Sequence, residues 1–358
     1  MDIELLVDAP RFWSRLRRDV AQARRKVWVQ TFSFEGDRVG TALGRALERC
    51  AAADRRLLVD GFSLLYHNDR LIPGPAWLDR SFRREVLLTH RWVRRLREGG
   101  TGVRFGNRPG PSPVSLLRRN HKKLAVIDDR VVYLGGINFS EHNFEWHDMM
   151  LRVEDRRLGR LMARDFGASW AGRPRRIDGR VGPLRVLSLN GRANARALAP
   201  VLEAVRGARH SIDVASAYLS HPFTDHLAAA RRRGVRVRVL TPGRNNKGNL
   251  ARHVLHAAHR HGFEVFRYPG MSHLKAMLID DRALVAGSSN FDFMSYHILE
   301  ELVVLTEHPG VVEAFRERVW RPDVAAAGRE PVRASLGTRL GHAAVLAGAA
   351  AAGLLAVP

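Results

Sequence analysis

Two stretches of the 358-residue sequence decide the fold: HKKLAVIDDRVVYLGGINFSEHN at residues 121–143 and HLKAMLIDDRALVAGSSNFDFMS at residues 273–295. Both follow the pattern HxKx4Dx6GxxN, and their histidines lie 152 positions apart. A single His-x-Lys is common on protein surfaces, but two copies of the longer pattern indicate an internal repeat. The sequence therefore predicts two similar halves.

The elements ahead of each motif repeat as well. Residues 23–34 and 55–61 read as two strands joined by a helix, and residues 208–219 and 235–243 read the same way. Strand–helix–strand order favours parallel pairing through a crossover. The sequence thus predicts an α/β fold in each half.

The domain boundaries follow from composition. The first half is expected at residues 1–175 and the second at 176–330, because RPRRIDGRVGP at 173–183 reads as a linker. Residues 331–358 are an apolar, Ala-rich tail, uncharged from Leu340 onward apart from one histidine. A spanning helix needs roughly 20 apolar residues, and this stretch is only weakly apolar. We expect a poorly ordered tail, with a membrane span or surface membrane contact as the alternatives.

One segment has no equal in the other half. Residues 62–100 are longer than their counterpart around 242–262 and contain Trp77, Phe82, Trp92 and many arginines. The segment favours a surface helix that packs its aromatic side chains inward. A lid or a membrane-facing element is the alternative.

The charge indicates an anionic partner. The formal net charge is +23 and the isoelectric point is about 11.4, which attracts nucleic acid or an anionic membrane surface. Cys50 is the single cysteine, so neither an internal disulfide nor a Cys/His zinc site is expected. This is typical of a reducing compartment, and the N-terminus does not read as a secretory signal.

The motif residues suit phosphate chemistry. Residues two apart on a strand face the same side, so His121 lies beside Lys123, and His273 beside Lys275. An imidazole can attack phosphorus or donate a proton, while an ammonium group neutralises the non-bridging oxygens. Each half is therefore predicted to hold a phosphodiester-handling group.

The other motif positions receive different roles. Asp128 and Asp280 stand five residues beyond their lysines, an odd spacing that puts them on the opposite face, so we expect them to be structural. Asn138 and Asn290, each 17 residues after its histidine, are predicted to donate to a phosphate oxygen. The Gly-Gly or Gly-Ser ahead of them lets the backbone approach closely.

Residues 20–322 resemble the phospholipase D superfamily, whose signature is this doubled motif. GGIN with a following HD, and GSSNFD with a later Glu, are most similar to bacterial cardiolipin synthases and their phosphatidyltransferase relatives. The resemblance implies a phospholipase D-like fold in which two α/β halves with mixed sheets pack around a pseudo-twofold axis, so that both motifs line one pocket. It also implies transfer of a phosphatidyl group through a covalent phosphohistidine, with no metal or other cofactor.

The resemblance also implies roles for single residues. His121 is our choice of nucleophile, and His273 then protonates the leaving alcohol and deprotonates the incoming one. Four residues would bind the phosphate, with a hydroxyl from a fifth: Lys123, Lys275, Asn138, Asn290 and Ser288.

A carboxylate is implied behind each histidine to orient its ring. In the second half Glu301 fits, 28 residues after His273. In the first half that position is Met149, with Asp148 one residue earlier, and a one-residue change in the intervening loop would align Asp148 with Glu301. The first half also has Gly136 where the second has a serine.

Four functions compete at this point. The first is a phosphatidyltransferase that makes cardiolipin or a related lipid, and the second is a phospholipase D that uses water as acceptor. The third is a nuclease, against which stands the lack of a helix-turn-helix, RRM or zinc-finger signature. The fourth is a non-catalytic binding module. The expected partners are anionic phospholipid and a membrane surface ahead of nucleic acid, at the cytoplasmic side of the cell membrane, bound peripherally or through the C-terminus.

Overall fold

The repeat in the sequence is also a repeat in strand order. The computed structural model describes residues 1–72 and 74–356, and its contacts divide the chain into two compact units on either side of the Arg175–Arg176 bond. Each unit is built on one mixed β-sheet with helices packed against it. This confirms the α/β fold of two similar halves that the sequence predicts.

The first unit alternates strands and helices along the chain. Its strands are β1 Asp2–Val7, β2 Lys26–Thr31, β3 Asp54–Asp60, β4 Tyr66–His67, β5 Arg70–Leu71, β6 Gly102–Gly106, β7 Leu124–Ile127, β8 Val131–Gly135 and β9 Met149–Glu154. Its α-helices are α1 Ala9–Gln22, α2 Arg38–Arg49, α3 Arg80–Glu98, α4 Pro113–Leu117, α5 Glu141–Phe144 and α6 Arg156–Trp170. Short 3₁₀ turns lie at Gly61–Leu64 and Pro75–Leu78.

Seven of these strands form one sheet in the order β1-β9-β8-β7-β2-β3-β6. The strands β2, β3 and β6 pair in parallel, and the remaining pairs are antiparallel. The parallel part is the strand–helix–strand segment that the sequence predicts. The antiparallel part carries the first motif.

The second unit follows the same plan. Its strands are β10 Ile177–Val181, β11 Leu184–Ser188, β12 Ser211–Ser216, β13 Arg236–Pro242, β14 Glu264–Tyr268, β15 Lys275–Ile279, β16 Ala283–Gly287, β17 Leu302–Thr306 and β18 Gly328–Arg329. Its α-helices are α7 Asn194–Ala197, α8 Ala199–Gly207, α9 Phe223–Arg232, α10 Gly248–His261, α11 Phe293–His297, α12 Pro309–Phe315, α13 Arg321–Ala326 and α14 Leu336–Ala356. A π-helical turn, Arg316–Trp320, joins α12 to α13.

The second sheet has nine strands in the order β10-β11-β17-β16-β15-β12-β13-β14-β18. The run β17-β16-β15-β12-β13-β14 repeats the order β9-β8-β7-β2-β3-β6 of the first sheet. Both motif strands are central, and every residue of β7 and of β15 is buried. The histidine–lysine pairs thus lie at the start of a buried central strand in each unit.

The segment at 173–183, predicted to be a linker, contains a strand. β10 pairs antiparallel with β11, and Val181 stands opposite Leu184 across a tight turn. The boundary between the two compact units falls inside this segment, at Arg175–Arg176, so the segment does connect the halves. Only Ile177–Val181 differ from a loop, because β10 is an edge strand, and edge strands carry charged side chains that read as loop.

The Ala-rich tail is also more ordered than expected. α14 packs against α10 and buries Val345, Ala349 and Ala352. A Cβ on Gly341 would lie 2.5 Å from Cβ of Arg252, so this glycine allows the two helices to approach closely. The expectation of a poorly ordered tail was therefore wrong for residues 336–356.

No helix in the part of the chain that the structure describes is both long enough and apolar enough to cross a membrane.

Candidate active site

A tight turn closes each motif hairpin. β7 pairs with β8, and β15 with β16, both antiparallel. Each turn consists of two aspartates in the left-handed region, with φ between 50° and 53° at Asp128, Asp129, Asp280 and Asp281. Aspartate tolerates this conformation better than most residues. The second strand of each hairpin runs back antiparallel to the first. The asparagine that follows it therefore lies at the same end of the hairpin as the histidine and lysine.

The first aspartate of each turn binds the backbone of a neighbouring strand. The carboxylate of Asp128 accepts from the backbone N–H groups of residues 24–26 at 2.8–3.0 Å, at the start of β2. Asp280 does the same with residues 209–211 at 2.7–2.9 Å, at the start of β12. Partial burial raises the pKa of both carboxyls, but the N–H donors outweigh it and hold each pKa below its ordinary value. These contacts hold the hairpin to the parallel part of the sheet.

The first unit presents a half-buried histidine and a buried lysine. His121 precedes β7, and its ring packs edge-on against Phe32 with centroids 5.4 Å apart. Lys123 is 1% exposed, and its Nζ donates to the carbonyl of His121 at 2.6 Å. The same ammonium lies 5.7 Å from the Phe32 centroid. A buried cation is therefore held against the backbone of His121.

The second unit carries the equivalent pair. His273 is 5% exposed, and Nζ of Lys275 lies 2.8 Å from its Nδ1 and also donates to its carbonyl. Which of the two nitrogens donates in this contact depends on the protonation state of the ring. The ring packs edge-on against Tyr218 at 5.9 Å, and Nζ of Lys247 lies 4.5 Å from the Tyr218 centroid.

The two motif asparagines are buried just beyond the returning strands. Asn138 and Asn290 are each 4% exposed. Asn138 donates to Oδ1 of Asn143 at 3.3 Å and accepts from the Thr31 hydroxyl at 3.4 Å. Oδ1 of Asn290 has no hydrogen-bond partner among residues 1–72 and 74–356. An amide flip exchanges oxygen and nitrogen, so this buried position can offer a donor to a phosphate oxygen.

The strand register aligns the two carboxylates. Gly136 N–H donates to the carbonyl of Met149 at 3.0 Å, and Ser288 N–H donates to that of Leu302 at 2.9 Å. Asp148 and Glu301 immediately precede these acceptors. The one-residue change expected in the first-half loop is therefore present, and Asp148 occupies the register of Glu301.

The two carboxylates have different surroundings. The Ser288 hydroxyl donates to the carboxylate of Glu301, which also accepts from the Ser295 hydroxyl at 3.0 Å. In the first unit, a Cβ at Gly136 would lie 2.3 Å from Oδ1 of Asp148, so the carboxylate fills the space of the missing side chain. Ser288 thus has a contact with Glu301 that the sequence did not predict.

The sequence analysis missed a buried ion pair behind the first motif. Nζ of Lys122 lies 2.9 Å from both carboxylate oxygens of Asp165 and 3.4 Å from the Ser169 hydroxyl, and both charged side chains are fully buried. The second unit has Leu274 at the position of Lys122. The signal was present as the unmatched lysine of HKK, but its partner lies 43 residues away.

Across residues 1–72 and 74–356, no group of three or more His, Cys, Asp or Glu side chains could hold a metal ion. The groups assembled at each hairpin end are an imidazole, an ammonium, an amide and the carboxylate-bearing strand beside them.

Two mixed-sheet units with one strand order, each carrying this set of groups, define the phospholipase D type of α/β protein. The family model described as "Cardiolipin synthase, PLD-like domain" matches residues 16–170 and 201–321. The chain belongs to this family.

Curated relatives carry the same name. Cardiolipin synthase A of Pseudomonas syringae pv. syringae (strain B728a) is 26% identical over 341 residues, which cover 85% of this chain and 64% of the relative. Cardiolipin synthase A of Pseudomonas entomophila (strain L48) is 28% identical over 343 residues, covering 89% and 67%. The chain thus spans about two thirds of the length of these relatives.

Solved structures share the fold. The phosphatidylserine synthase of Haemophilus influenzae Rd KW20 superimposes with a TM-score of 0.74 at 14% identity, over 99% of this chain and 94% of that one. The polyphosphate kinase of Porphyromonas gingivalis gives 0.62 at 15% identity, over 98% and 53%. At these identities the likeness concerns the fold alone.

Proposed function

We propose that the chain is a phosphatidyltransferase of the cardiolipin synthase type. The observation that carries the proposal is that each unit places a histidine in contact with a buried lysine. An asparagine is buried at the same end of each hairpin. Exchange of alcohols at a phosphodiester needs a nucleophile, a proton carrier and fixed positive charge, and the doubled set supplies all three. Membership of the family and the name of the curated relatives support phosphatidyl transfer.

The proposed reaction has two displacements at phosphorus, with the roles of the two histidines taken from the resemblance to the phospholipase D superfamily. First, an imidazole nitrogen of His121 attacks phosphorus, a P–N bond forms, and the bond to the head-group alcohol breaks as His273, protonated, gives that oxygen a proton. Second, neutral His273 removes the proton from an acceptor hydroxyl, whose oxygen attacks phosphorus and breaks the P–N bond. Both rings return to their starting states.

The resemblance to the phospholipase D superfamily supports this division between the two histidines. In both motifs the lysine donates to the carbonyl of its own histidine, so fixed positive charge lies beside each one. Lys123, Lys275, Asn138 and Asn290 would hold the non-bridging oxygens, and Asp148 and Glu301 would orient imidazole rings.

Product analysis tests the proposal. With phosphatidylglycerol vesicles, we expect cardiolipin and glycerol, and with a donor labelled in its phosphatidyl group we expect an acid-labile, alkali-stable label on the protein. His121→Ala should abolish both the label and turnover. The exposed histidines His90 and His259 supply matched controls, because replacing either by alanine removes an imidazole outside the motifs.

Other products would overturn the proposal. Phosphatidic acid alone, whatever alcohol is added, would assign the chain to the phospholipase D hydrolases. Metal-independent cleavage of nucleic acid that His121→Ala abolishes, with no turnover of lipid, would assign it to the nucleases.

The lipid substrate also implies a location. The proposal places the protein at the cytoplasmic side of the cell membrane, bound to anionic phospholipid peripherally or through its C-terminal helix, and the net charge of +23 supports this. Cell fractionation should find it in the membrane pellet at low salt and release part of it at high salt. Recovery in the supernatant at low salt would contradict this location.

A further inference from the structure

Four large apolar side chains are exposed along a short stretch of the first unit. Leu71 on β5 is 53% exposed, Trp77 and Leu78 in the turn before α3 are 40% and 82% exposed, and Leu87 on α3 is 53% exposed. The aromatic residues Phe82 and Trp92 of the same segment are buried, as inward packing predicts. Trp77 and the three leucines therefore need a different explanation.

The turn that carries Trp77 and Leu78 is fixed by its neighbours. Asp79 caps α3 by accepting from Ser81 N–H at 2.8 Å, and Arg70 on the hairpin forms an ion pair with Asp79 at 3.1 Å. Arg83 donates to the carbonyls of Trp77 and Leu78 at 2.6 and 3.2 Å. Hydrogen bonds and an ion pair thus hold in place the turn that exposes these two apolar side chains.

A stripe of arginines continues from this turn along α3. Arg80, Arg84, Leu87 and Arg91 are spaced i, i+4, i+7 and i+11, which puts them on one helix face. All four are exposed. No carboxylate in the described coordinates lies within ion-pair distance of Arg80, Arg84 or Arg91. The face therefore combines unpaired positive charge with apolar side chains.

We propose that this face docks the protein on an anionic lipid bilayer. We call it the α3 surface and define it by Leu71, Trp77, Leu78, Arg80, Arg84, Leu87 and Arg91. The arginines match anionic head groups in charge, while Trp77 and the leucines enter the head-group boundary, as interfacial elements do. Nucleic acid would satisfy the arginines and leave the apolar tip in water, so the bilayer fits the whole face. The inference rests on the proposed function and names the surface that brings the site to its lipid.

Vesicle binding with two variants and two matched controls tests the α3 surface. Trp77→Ser with Leu78→Ser removes the apolar tip, and the control Leu116→Ser removes a leucine that is 44% exposed on α4, outside both the α3 surface and α14. Glutamine at Arg80, Arg84 and Arg91 removes three charges. Its control places glutamine at Arg156, Arg160 and Arg164, exposed arginines spaced i, i+4 and i+8 on α6.

Co-sedimentation with vesicles of mixed phosphatidylglycerol and phosphatidylcholine gives the readout. The tip variant should bind at least about tenfold more weakly at every salt concentration. The arginine variant should bind roughly 100-fold more weakly at low salt, with a smaller difference at high salt. Both controls should stay within about threefold of the parent chain.

Two outcomes would overturn the inference: variants that bind like their controls, or a tip variant that loses binding to DNA as much as binding to vesicles. Circular dichroism and thermal unfolding establish that each variant is folded. Turnover of donor lipid in neutral detergent micelles, where no charged bilayer exists, should be unchanged in all variants. A parent chain that binds vesicles through this surface but turns over no lipid would refute the proposed function and leave the docking surface standing.

Discussion

The two units share a backbone and differ in the contacts around each motif. Both have the same strand order, the same aspartate turn and the same hydrogen bonds from that aspartate to the neighbouring strand. Around this frame, His273 is buried whereas His121 is half-buried, and Ser288 and Leu274 stand where the first unit has Gly136 and Lys122. The frame is constrained by backbone geometry, and the side chains that set reactivity have diverged. Different surroundings are what the two unlike tasks proposed for the histidines would require.

The largest expected effect separates the tasks of the histidines. A donor whose leaving group is nitrophenolate needs no proton on departure. His273→Ala should therefore slow transfer from phosphatidylglycerol by about 10²–10⁴ but keep a nitrophenolate burst within about tenfold of the parent. His121→Ala should lose the burst as well, because no P–N bond can form.

Rapid-quench measurement of nitrophenolate in the first turnover checks this assignment. His90→Ala supplies the control for a replaced imidazole in the first unit. A burst that survives in His121→Ala and vanishes in His273→Ala would exchange the two roles.

The buried ion pair is the next contrast between the units. Lys122→Leu copies the leucine of the second motif but leaves the Asp165 carboxylate buried without its cation, so the free energy of unfolding should fall by about 3–5 kcal/mol. Adding Asp165→Leu should recover most of that loss, since replacing both partners by apolar groups is often neutral. Urea unfolding followed by circular dichroism measures both. A double variant no more stable than Lys122→Leu would contradict the explanation.

Alanine at equivalent positions gives a smaller contrast. Gly136→Ala adds a methyl group where the Asp148 carboxylate lies, and overpacking of this kind costs about 1–3 kcal/mol. Ser288→Ala removes the hydroxyl that donates to Glu301, at about 1–2 kcal/mol. Both should lower kcat, and Gly136→Ala should do so more. Equal tolerance of the two substitutions would show that the Asp148 carboxylate can move aside.

The last contrast is in pH dependence, where the change in stability per pH unit is small. Burial, with the neighbouring Glu85 and Asp37 carboxylates, raises the pKa of Glu35 in the first unit to about 9, so its folded form holds a proton that the unfolded form loses above about 4.5. Its contribution to stability is lost as pH rises from 4.5 to 9. Burial, with the nearby His342, lowers the pKa of His253 in the second unit to about 3. Its contribution is lost as pH falls from 6.5 towards 3.

Hydrogen exchange at several pH values, corrected for intrinsic rates, measures the two trends separately. Opening free energies should change by at most about 1.4 kcal/mol per pH unit for one proton. Glu35→Gln should flatten the alkaline loss in the first unit, and His253→Gln the acid loss at α10. Because each variant is compared with the parent chain, other titrating groups cancel. Slopes unchanged by these substitutions would exclude Glu35 and His253 as their source.

The sequence predicts the parts of this protein that depend on local pattern. The doubled motif predicts the repeat. Apolar runs separated by helical segments predict the central strands and their parallel pairing. The one-residue shift of Asp148 could be anticipated, because two similar segments could be compared position by position. Two features of the fold could not be predicted from the sequence. β10 has the composition of a loop, and α14 is stabilised by packing on α10 rather than by its own weak apolarity.

The missed parts of the site are those set by tertiary contact. The residues around HKK do not predict that Lys122 pairs with Asp165, because this partner is fixed by how α6 packs on the sheet. The contact between Ser288 and Glu301 likewise joins residues of different strands. Residue spacing predicts which face a side chain occupies, whereas its partner depends on the opposing element.

The structural role of Asp128 and Asp280 affects how homologues that have lost the aspartate of this motif should be interpreted. The carboxylates of Asp128 and Asp280 accept hydrogen bonds from backbone N–H groups of an adjacent strand. A homologue with asparagine there would keep histidine, lysine and the later asparagine in place. Its defect would appear as a lower melting temperature before it appeared as lost chemistry. Such a sequence should be classed as a less stable enzyme rather than as a pseudoenzyme.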